Sequence, residues 1–156
     1  MSVLDVGAGG GEVDAFLQSK YKVKITAIDV TPPSKNVWRF SKVKFPVKVF
    51  DGKHLKFEDN SFDVVLFNSV LHHAAKNTPS LLKDAARVSR RWILLNEDTS
   101  VTDSTILSKE DIDFIEARNL QHERYGVFRT VGEWTSLLED VAGARVLGVG
   151  IVLRFF

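Results

Sequence analysis

The stretch Val3-Leu4-Asp5-Val6-Gly7-Ala8-Gly9-Gly10-Gly11-Glu12 decides the fold of this chain. Its apolar start predicts a buried strand, and its glycines predict a tight turn into a helix. Such a turn leaves free backbone N–H groups at a helix N-terminus, where an anionic group of a nucleotide-like cofactor binds. The dinucleotide pattern G-x-G-x-x-G would place its third glycine at position 12, but Glu12 stands there.

The length and composition indicate one globular domain. The 156 residues are 44% hydrophobic and 26% charged, which is ordinary for such domains. No apolar run is long enough to predict a membrane span, and no signal peptide is recognisable, so we expect a cytoplasmic protein. The sequence holds no cysteine, which excludes disulfides, thiolate metal sites and a cysteine nucleophile within it. No metal site is predicted.

Apolar runs alternate with amphipathic stretches, which predicts an α/β fold. The predicted strands are residues 3–6, 24–29, 46–50, 62–67 and 92–96. A helix over residues 12–19 should turn Val13, Phe16 and Leu17 inward. A second helix begins at Thr78-Pro79, and its inward residues are expected to be Leu81, Leu82, Ala85, Ala86 and Val88.

The rest of the chain carries weaker signals. Capping boxes at residues 108–111 and 130–133 each predict a helix start, and Gly143 ends the second of these helices. Residues 144–156 predict either one bent strand or a tight pair of strands.

Basic residues are concentrated in one part of the chain. Residues 20–56 hold ten lysines and arginines against two acids, Asp29 and Asp51. This stretch allows binding of an anionic partner such as RNA, DNA or a phosphorylated metabolite. Because the ten residues are spread over the whole segment, a solvated edge is the simpler interpretation.

Three further motifs follow the glycine-rich stretch. Asp29 ends the second predicted strand, and Leu71-His72-His73 follows the fourth. The run Asp51-Gly52-Lys53-His54-Leu55-Lys56-Phe57-Glu58-Asp59-Asn60-Ser61-Phe62-Asp63-Val64-Val65 resembles the pattern D-A-x-x-L-P-F-x-D-x-S-F-D-x-V of type 11 methyltransferases. The stretch from Asp5 to Gly11 also fits the acid-x-G-x-G-x-G motif of class I S-adenosylmethionine-dependent methyltransferases. The chain therefore resembles this family up to about residue 98.

The resemblance implies both a fold and a cofactor. The fold would be α/β, a Rossmann-like doubly wound sheet, mostly parallel with an antiparallel last strand and with helices on both faces. Residues 151–156 would supply that last strand. S-adenosylmethionine would be the methyl donor, with S-adenosylhomocysteine as the product. Residues 1–156 would form a single methyltransferase domain that lacks the usual N-terminal cover helices.

The resemblance also assigns the cofactor site. The loop amides would hold the methionine carboxylate, and Asp5 would orient the loop or the ammonium group. Asp29 would accept hydrogen bonds from both ribose hydroxyls, and Asp51 would meet the adenine amino group. The full set of predicted cofactor-binding residues is Asp5, Gly7, Ala8, Gly9, Gly11, Asp29, Val30, Asp51, Gly52, Asn68 and Ser69.

His72 and His73 are the candidate catalytic residues. Histidine titrates near neutrality and could remove a proton from the methyl acceptor. The alternative is that one of them packs against or caps the following helix. Asn68-Ser69-Val70-Leu71 lacks the prolines and the aromatic residue that enzymes methylating adenine or glutamine amines carry there, which argues against adenine N6 methylation.

The resemblance leaves the acceptor and the assembly open. The acceptor is predicted to be an O, N or C nucleophile of a small molecule, with nucleic acid allowed by residues 20–56. A homodimer or a partner subunit could cover the open cofactor site. The alternative function is a non-catalytic cofactor-binding or partner subunit of a larger methyltransferase assembly. An NAD-dependent oxidoreductase is disfavoured by Glu12 and by the segment at Asp51.

Overall fold

A computed structural model of the chain describes residues 1–31, 45–99 and 126–149. Its strands are β1 (Ser2–Val6), β2 (Lys24–Asp29), β3 (Val47–Val49), β4 (Phe62–Asn68) and β5 (Ser89–Asn96). Its helices are α1 (Glu12–Tyr21), α2 (Leu71–Ala74), α3 (Thr78–Val88) and α4 (Val131–Ser136). A 3-10 turn, Ala75–Asn77, joins α2 to α3, and a π-helical turn, Leu137–Val141, follows α4.

The five described strands form one sheet in the order β3-β2-β1-β4-β5. Every pairing in this sheet is parallel. The chain runs from the central β1 outward to β2 and β3, and then resumes on the other side of β1 with β4 and β5. Because crossovers between parallel strands are right-handed, this reversal places α1 and α3 on opposite faces. The result is a Rossmann-like doubly wound sheet whose order reverses between β1 and β4.

The predicted fold class is confirmed with one correction. The predicted antiparallel last strand is not part of the described sheet. All five described strands run in the same direction, because each connection crosses back to the end of the sheet where the preceding strand began. Residues 151–156, to which that strand was assigned, lie outside the described part of the chain. Residues 144–149 run as irregular backbone, not as the predicted strand.

The register between the central strands sets the two faces of the sheet. Leu4 and Val6 of β1 are level with Val65 and Phe67 of β4. Because side chains alternate along a strand, these four point to one face, and they are almost completely buried. The face is covered by α3, whose buried residues are Thr78, Leu81, Leu82, Ala85 and Val88. The inward residues predicted for this helix are thus confirmed except Ala86, which is only half-buried.

The inner face predicted for α1 is wrong at Val13 and Phe16, whereas Leu17 is half-buried. Val13 and Phe16 are 44% and 56% exposed, and the buried residue of this helix is Asp14. Since helix positions are 100° apart, burial of residue 14 turns residues 13 and 16 away from the sheet. The side chain at position 14 meets the sheet face that carries Asp5, opposite the α3 face.

The C-terminal described segment packs against the α3 side of the molecule. Thr130 caps α4 through a reciprocal capping box with Glu133, as predicted. Trp134 is buried among the core residues. Gly143 follows the π-helical turn with φ of +63°, which fits its predicted place after a helix end. The predicted helix near residue 108 lies outside the described residues. None of the described helices has the length and apolar character needed to cross a membrane.

Candidate functional site

The carboxyl ends of the described strands meet at one edge of the sheet, where ligands of doubly wound folds bind. The N–H groups of Gly7 and Ala8 both donate to the Ile28 carbonyl, at 2.8 and 3.0 Å. The Phe50 N–H donates to the Asp29 carbonyl at 3.0 Å. The turns after β1, β2 and β3 are therefore tied together, which brings the predicted nucleoside-binding residues to one place.

Gly7 and Gly9 of the first turn differ in the space around their Cβ positions. Gly7 has φ of +82°, and a Cβ there would overlap the side chain of Val70, so the turn passes too close to the segment after β4 for any side chain. Gly9 has φ of +59°, and no atom of the described residues lies within 4 Å of its ideal Cβ position. Gly7 is therefore needed for packing, whereas Gly9 leaves open space above the turn.

We expect Gly7→Ala to destabilise the fold strongly. The new methyl group would combine a left-handed backbone cost of roughly 1–2 kcal/mol with overpacking of roughly 1–3 kcal/mol. Gly143→Ala is the matched control, because Gly143 also has positive φ but nothing lies near its Cβ position. Urea unfolding of both variants measures the difference. Equal losses in the two would contradict the contact assigned to Val70.

Asp29 joins the glycine turn to the end of β2. Its Oδ2 accepts a hydrogen bond of 2.9 Å from the Gly9 N–H, and its Oδ1 accepts one of 2.7 Å from the Thr31 N–H. A carboxylate offers about four acceptor positions, so Asp29 keeps acceptors for further hydroxyl groups. The side chain of Val30 is 58% exposed beside this acid.

Asp51 is exposed and makes its own local turn. Its Oδ1 accepts from the N–H groups of Lys53 and His54, at 2.9 and 3.0 Å, and its Oδ2 lies 3.0 Å from Nζ of Lys56. These hydrogen bonds, the backbone ones foremost, hold the pKa of Asp51 well below its ordinary value. Gly52 follows with φ of +71°, close to Val30, so this turn also reaches the nucleoside end of the site.

The loop after Asp51 is held by two residues of α3. Arg87 donates to the carbonyls of Leu55 and Phe57, at 2.8 and 2.7 Å, and to Oδ1 of Asp59 at 2.8 Å. Asp84 accepts from the Leu55 N–H at 2.9 Å. The run that resembles the type 11 pattern is therefore a fixed loop fastened to α3.

Asp5 is buried beneath the glycine turn together with Asp14 of α1. The two side chains are 2% and 0% exposed. Burial, followed by the nearby Asp14 carboxyl, raises the pKa of Asp5 to about 8. Burial likewise raises the pKa of Asp14. Oδ1 of Asp5 and both oxygens of Asp14 find no donor in the described part of the chain. We infer that one of the two carboxyls keeps its proton and shares it with an oxygen of the other.

The ends of β4 and β5 are tied together by hydrogen bonds at the same edge. Nδ2 of Asn96 donates to Oδ1 of Asn68 at 2.6 Å, and the Ser69 N–H donates to the Asn96 carbonyl at 2.7 Å. Ser69 has φ of +53°, which is uncommon for a residue with a side chain. Strained backbone of this kind is concentrated at functional sites, and here it lies where the reacting end of a ligand is expected.

The two histidines of α2 are placed differently. His72 is buried, and its Nδ1 lies 2.7 Å from Oε2 of Glu97. Its ring stacks on Phe128 with 5.2 Å between centroids. The neighbouring His73 is exposed, with its ring centroid 4.0 Å from that of His72. The predicted pair is therefore one buried and one exposed histidine.

Sequence reasoning missed two residues of this site. Glu97 stands in none of the motifs quoted above, although its carboxylate contacts three consecutive backbone amides. Asp14 was not singled out at all. Asp14 is a charged residue among the apolar positions of the predicted helix. The inner face predicted from Val13, Phe16 and Leu17 puts Asp14 on the solvent side of that helix.

The basic stretch is described only in part. The six basic residues of it that the structure describes are all exposed, and they are Lys20, Lys22, Lys24, Lys48, Lys53 and Lys56. The other four lie outside the described residues. Among the residues described, no group of three or more histidines, aspartates and glutamates is arranged to hold a metal ion.

The chain matches a known protein family. The family model described as "Methyltransferase domain", of type 11, matches residues 4–91, which is more than half of the chain. A search of the curated proteins found no match.

Solved structures of methyltransferases share the fold. A methyltransferase from Haloferax volcanii, solved in complex with the Trm112 activator, has a TM-score of 0.70 and 18% identity. A methyltransferase from Bacillus halodurans has a TM-score of 0.66 and 22% identity. A phosphoethanolamine N-methyltransferase from Haemonchus contortus, solved with S-adenosylhomocysteine, has a TM-score of 0.64 and 21% identity.

The alignments cover most of this chain but less of the known proteins. They include 94%, 90% and 90% of this chain, and 62%, 61% and 32% of those three proteins in the same order. The cofactor of this family is S-adenosylmethionine. By its family match and its fold, this chain belongs to the class I, type 11 methyltransferases.

Proposed function

We propose that this chain is an enzyme that transfers the methyl group of S-adenosylmethionine to an oxygen, nitrogen or carbon nucleophile of a small-molecule substrate. The observation that carries the proposal is the hydrogen bond of 2.9 Å from the Gly9 N–H to Oδ2 of Asp29. This bond supports the proposal because it joins the glycine turn to Asp29, the acid that we assign to the ribose. Those are the groups needed for the amino-acid end and the nucleoside end of one cofactor.

The described residues suit such a cofactor. Open space above Gly9 allows a ligand to approach the backbone, and Asp29 keeps free acceptor positions. We assign the glycine turn (Gly7, Ala8, Gly9 and Gly11), whose own N–H groups donate within the protein, to contacts with the amino-acid end of the cofactor, and Val30, Asp51 and Gly52 to the adenine side. Asp5, buried beneath the turn, would support the loop from below and not contact the ligand directly.

When bound, the cofactor supplies an electrophilic methyl group on a positively charged sulfur. The protein's main task is then to align the nucleophile, and orientation alone can account for roughly 7–11 kcal/mol of a barrier. We assign this alignment to Asn68 and Ser69, at the end of β4. A histidine of α2, His72 or His73, would accept the proton of the acceptor group, a contribution of about 10²–10⁴ in rate.

Calorimetric titration with S-adenosylmethionine, S-adenosylhomocysteine and NAD tests the proposal. We expect both S-adenosyl compounds to bind and NAD to fail, because Glu12 replaces the third dinucleotide glycine. A ligand at 100 times its dissociation constant should also raise the unfolding free energy by about 2.7 kcal/mol. Binding of NAD alone, or of none of the three, would contradict the proposed function.

A second candidate is a subunit of a larger methyltransferase assembly. One observation favours it: the Haloferax volcanii methyltransferase, which shares the fold, was solved with an activator. A partner or a second copy of this chain would then cover the cofactor edge. Sedimentation of the purified chain, combined with a turnover assay with S-adenosylmethionine, separates the candidates, since turnover by a monomer would exclude the second one.

Two finer assignments stay predictions. A small molecule is the proposed acceptor, and nucleic acid is the alternative that the basic residues 20–56 allow. Lys53 and Lys56 lie beside the Asp51 turn and are exposed, although Lys56 is already paired with Asp51. A cytoplasmic location is likewise a prediction.

A further inference from the structure

Glu97 is a buried carboxylate surrounded by hydrogen-bond donors. Its side chain is 2% exposed. Its Oε1 accepts hydrogen bonds from the backbone N–H groups of Val70 and Leu71, at 2.8 and 2.7 Å. Its Oε2 accepts a longer one, of 3.4 Å, from the backbone N–H of His72. Glu97 directly follows β5, so one side chain fixes the segment that follows the neighbouring β4.

The same carboxylate determines which nitrogen of His72 carries the hydrogen. Nδ1 lies 2.7 Å from Oε2 of Glu97. The other partners of this carboxylate within the described residues are backbone N–H groups, and an ionised carboxylate can only accept. Nδ1 of His72 must therefore be the protonated nitrogen. No hydrogen bond to its Nε2 is found within the described residues, so that nitrogen keeps a free lone pair.

The imidazole of His72 is also held on its faces and edge. Phe128 stacks on it, and the Val127 N–H donates to the His72 carbonyl at 2.8 Å. A Cβ at Gly126 would lie 2.9 Å from Cδ2 of the ring. The stacking on Phe128 and the hydrogen bond between Nδ1 and Glu97 restrict rotation of the ring before any ligand binds.

We propose that Glu97 is a positioning residue that holds His72, and not His73, as the proton acceptor of the reaction. In the transfer step the proton of the methyl acceptor passes to Nε2 of His72, and the negative charge of Glu97 stabilises the imidazolium that forms. The proton then leaves to solvent. The base role rests on the proposed function, whereas the fixed tautomer is a property of the free chain.

Nitrogen-15 NMR of the histidine-labelled chain tests the proposal without a substrate. Long-range proton–nitrogen correlations distinguish the two neutral tautomers, and the spectrum of His72→Gln identifies the His72 signals. We expect the wild-type chain to show Nδ1 of His72 protonated and Nε2 unprotonated. Glu97→Gln should lose this preference, because an amide cannot accept from all the donors that face it. Asp98→Asn is the matched control: it removes the adjacent, exposed carboxylate and should leave the tautomer unchanged.

Two outcomes would overturn the inference: the Nε2-protonated tautomer in the wild-type chain, or an unchanged tautomer in folded Glu97→Gln. If Glu97→Gln does not fold, the wild-type spectrum still decides. In that case Glu97→Asp, which keeps the charge on a shorter side chain, is measured in place of Glu97→Gln. Titration with S-adenosylhomocysteine is run on the same samples, so that failure of the proposed function and failure of this inference are separate results.

Discussion

Asp29→Ala is expected to weaken the binding of S-adenosylhomocysteine at least a hundredfold while the chain stays folded. A hundredfold loss is about 2.8 kcal/mol, and hydrogen bonds to a charged group contribute roughly 1.5–3 kcal/mol each. The substitution removes the acceptor proposed for two ribose hydroxyls and releases the Gly9 N–H. Calorimetric titration measures the affinity, and circular dichroism checks the fold.

Asp63→Ala is the matched control for this experiment. Asp63 also accepts a backbone hydrogen bond, from the Ser2 N–H at 2.7 Å, and it pairs with Arg90 at 2.9 Å. It lies at the amino end of β4, away from the edge where the strands terminate. A loss of affinity in Asp63→Ala as large as that in Asp29→Ala would mean that binding reports general stability and not the proposed contact.

Gly9→Val tests the same site from the other side of the cofactor. Among the described residues, no atom lies within 4 Å of the Cβ position at Gly9, so the new side chain would enter the space that we assign to the ligand. The left-handed backbone there costs at least roughly 1–2 kcal/mol with a side chain, which a folded domain tolerates. Unchanged affinity in both Gly9→Val and Asp29→Ala would contradict the site assignment.

The strands could be predicted from sequence because their signal is local. Each of the five described strands coincides with a predicted apolar run, and β2 was predicted at its observed bounds, Lys24–Asp29. The rotation of α1 could not be predicted in this way. Val13, Phe16 and Leu17 form an apolar stripe at helical spacing, but the glycine turn fixes how the helix enters the sheet, and it turns Asp14 inward.

The edge of the sheet proposed to bind the cofactor was predictable because its motifs follow the predicted strands directly. The contacts of α2 were not predictable in this way. Asp29 and the glycines lie at strand ends that are close in any parallel sheet. The contact between Glu97 and His72 joins residues 25 positions apart, so no local sequence pattern predicts it. His72 and His73 are equivalent in the motif, and only their 100° separation on a helix makes one buried and the other exposed.

The second large effect is expected in the pH dependence of stability. The unfolding free energy of the ligand-free chain should fall as the pH rises from about 4 to about 8. Burial, and then the neighbouring Asp14 carboxyl, raises the pKa of Asp5 to about 8, whereas an unfolded aspartate titrates near 3.9. Between these values the folded chain binds a proton that the unfolded chain has released, so stability decreases with pH. The total change is on the order of 5 kcal/mol.

Urea unfolding at several pH values, with two variants, separates the causes of this slope. Asp14→Asn removes the neighbouring carboxyl but leaves Asp5 buried, so its slope should be shallower than that of the wild type. The double variant Asp5→Asn with Asp14→Asn removes both titrating groups and should be nearly flat over this range. Asp140→Asn, in an exposed turn, is the control for loss of one charge and should keep the wild-type slope.

Two acids outside the core, Asp51 and Asp63, act in a different pH range and do not obscure the result. Hydrogen bonds to backbone N–H groups hold the pKa values of Asp51 and Asp63 below normal. Their contribution is therefore present above about pH 4 and is lost as the pH falls below it. A wild-type chain whose stability rises between pH 5 and pH 8 would contradict the shared proton. It would mean that Asp5 is ionised in the folded chain and that a cation or a backbone donor, absent from the described contacts, stabilises it.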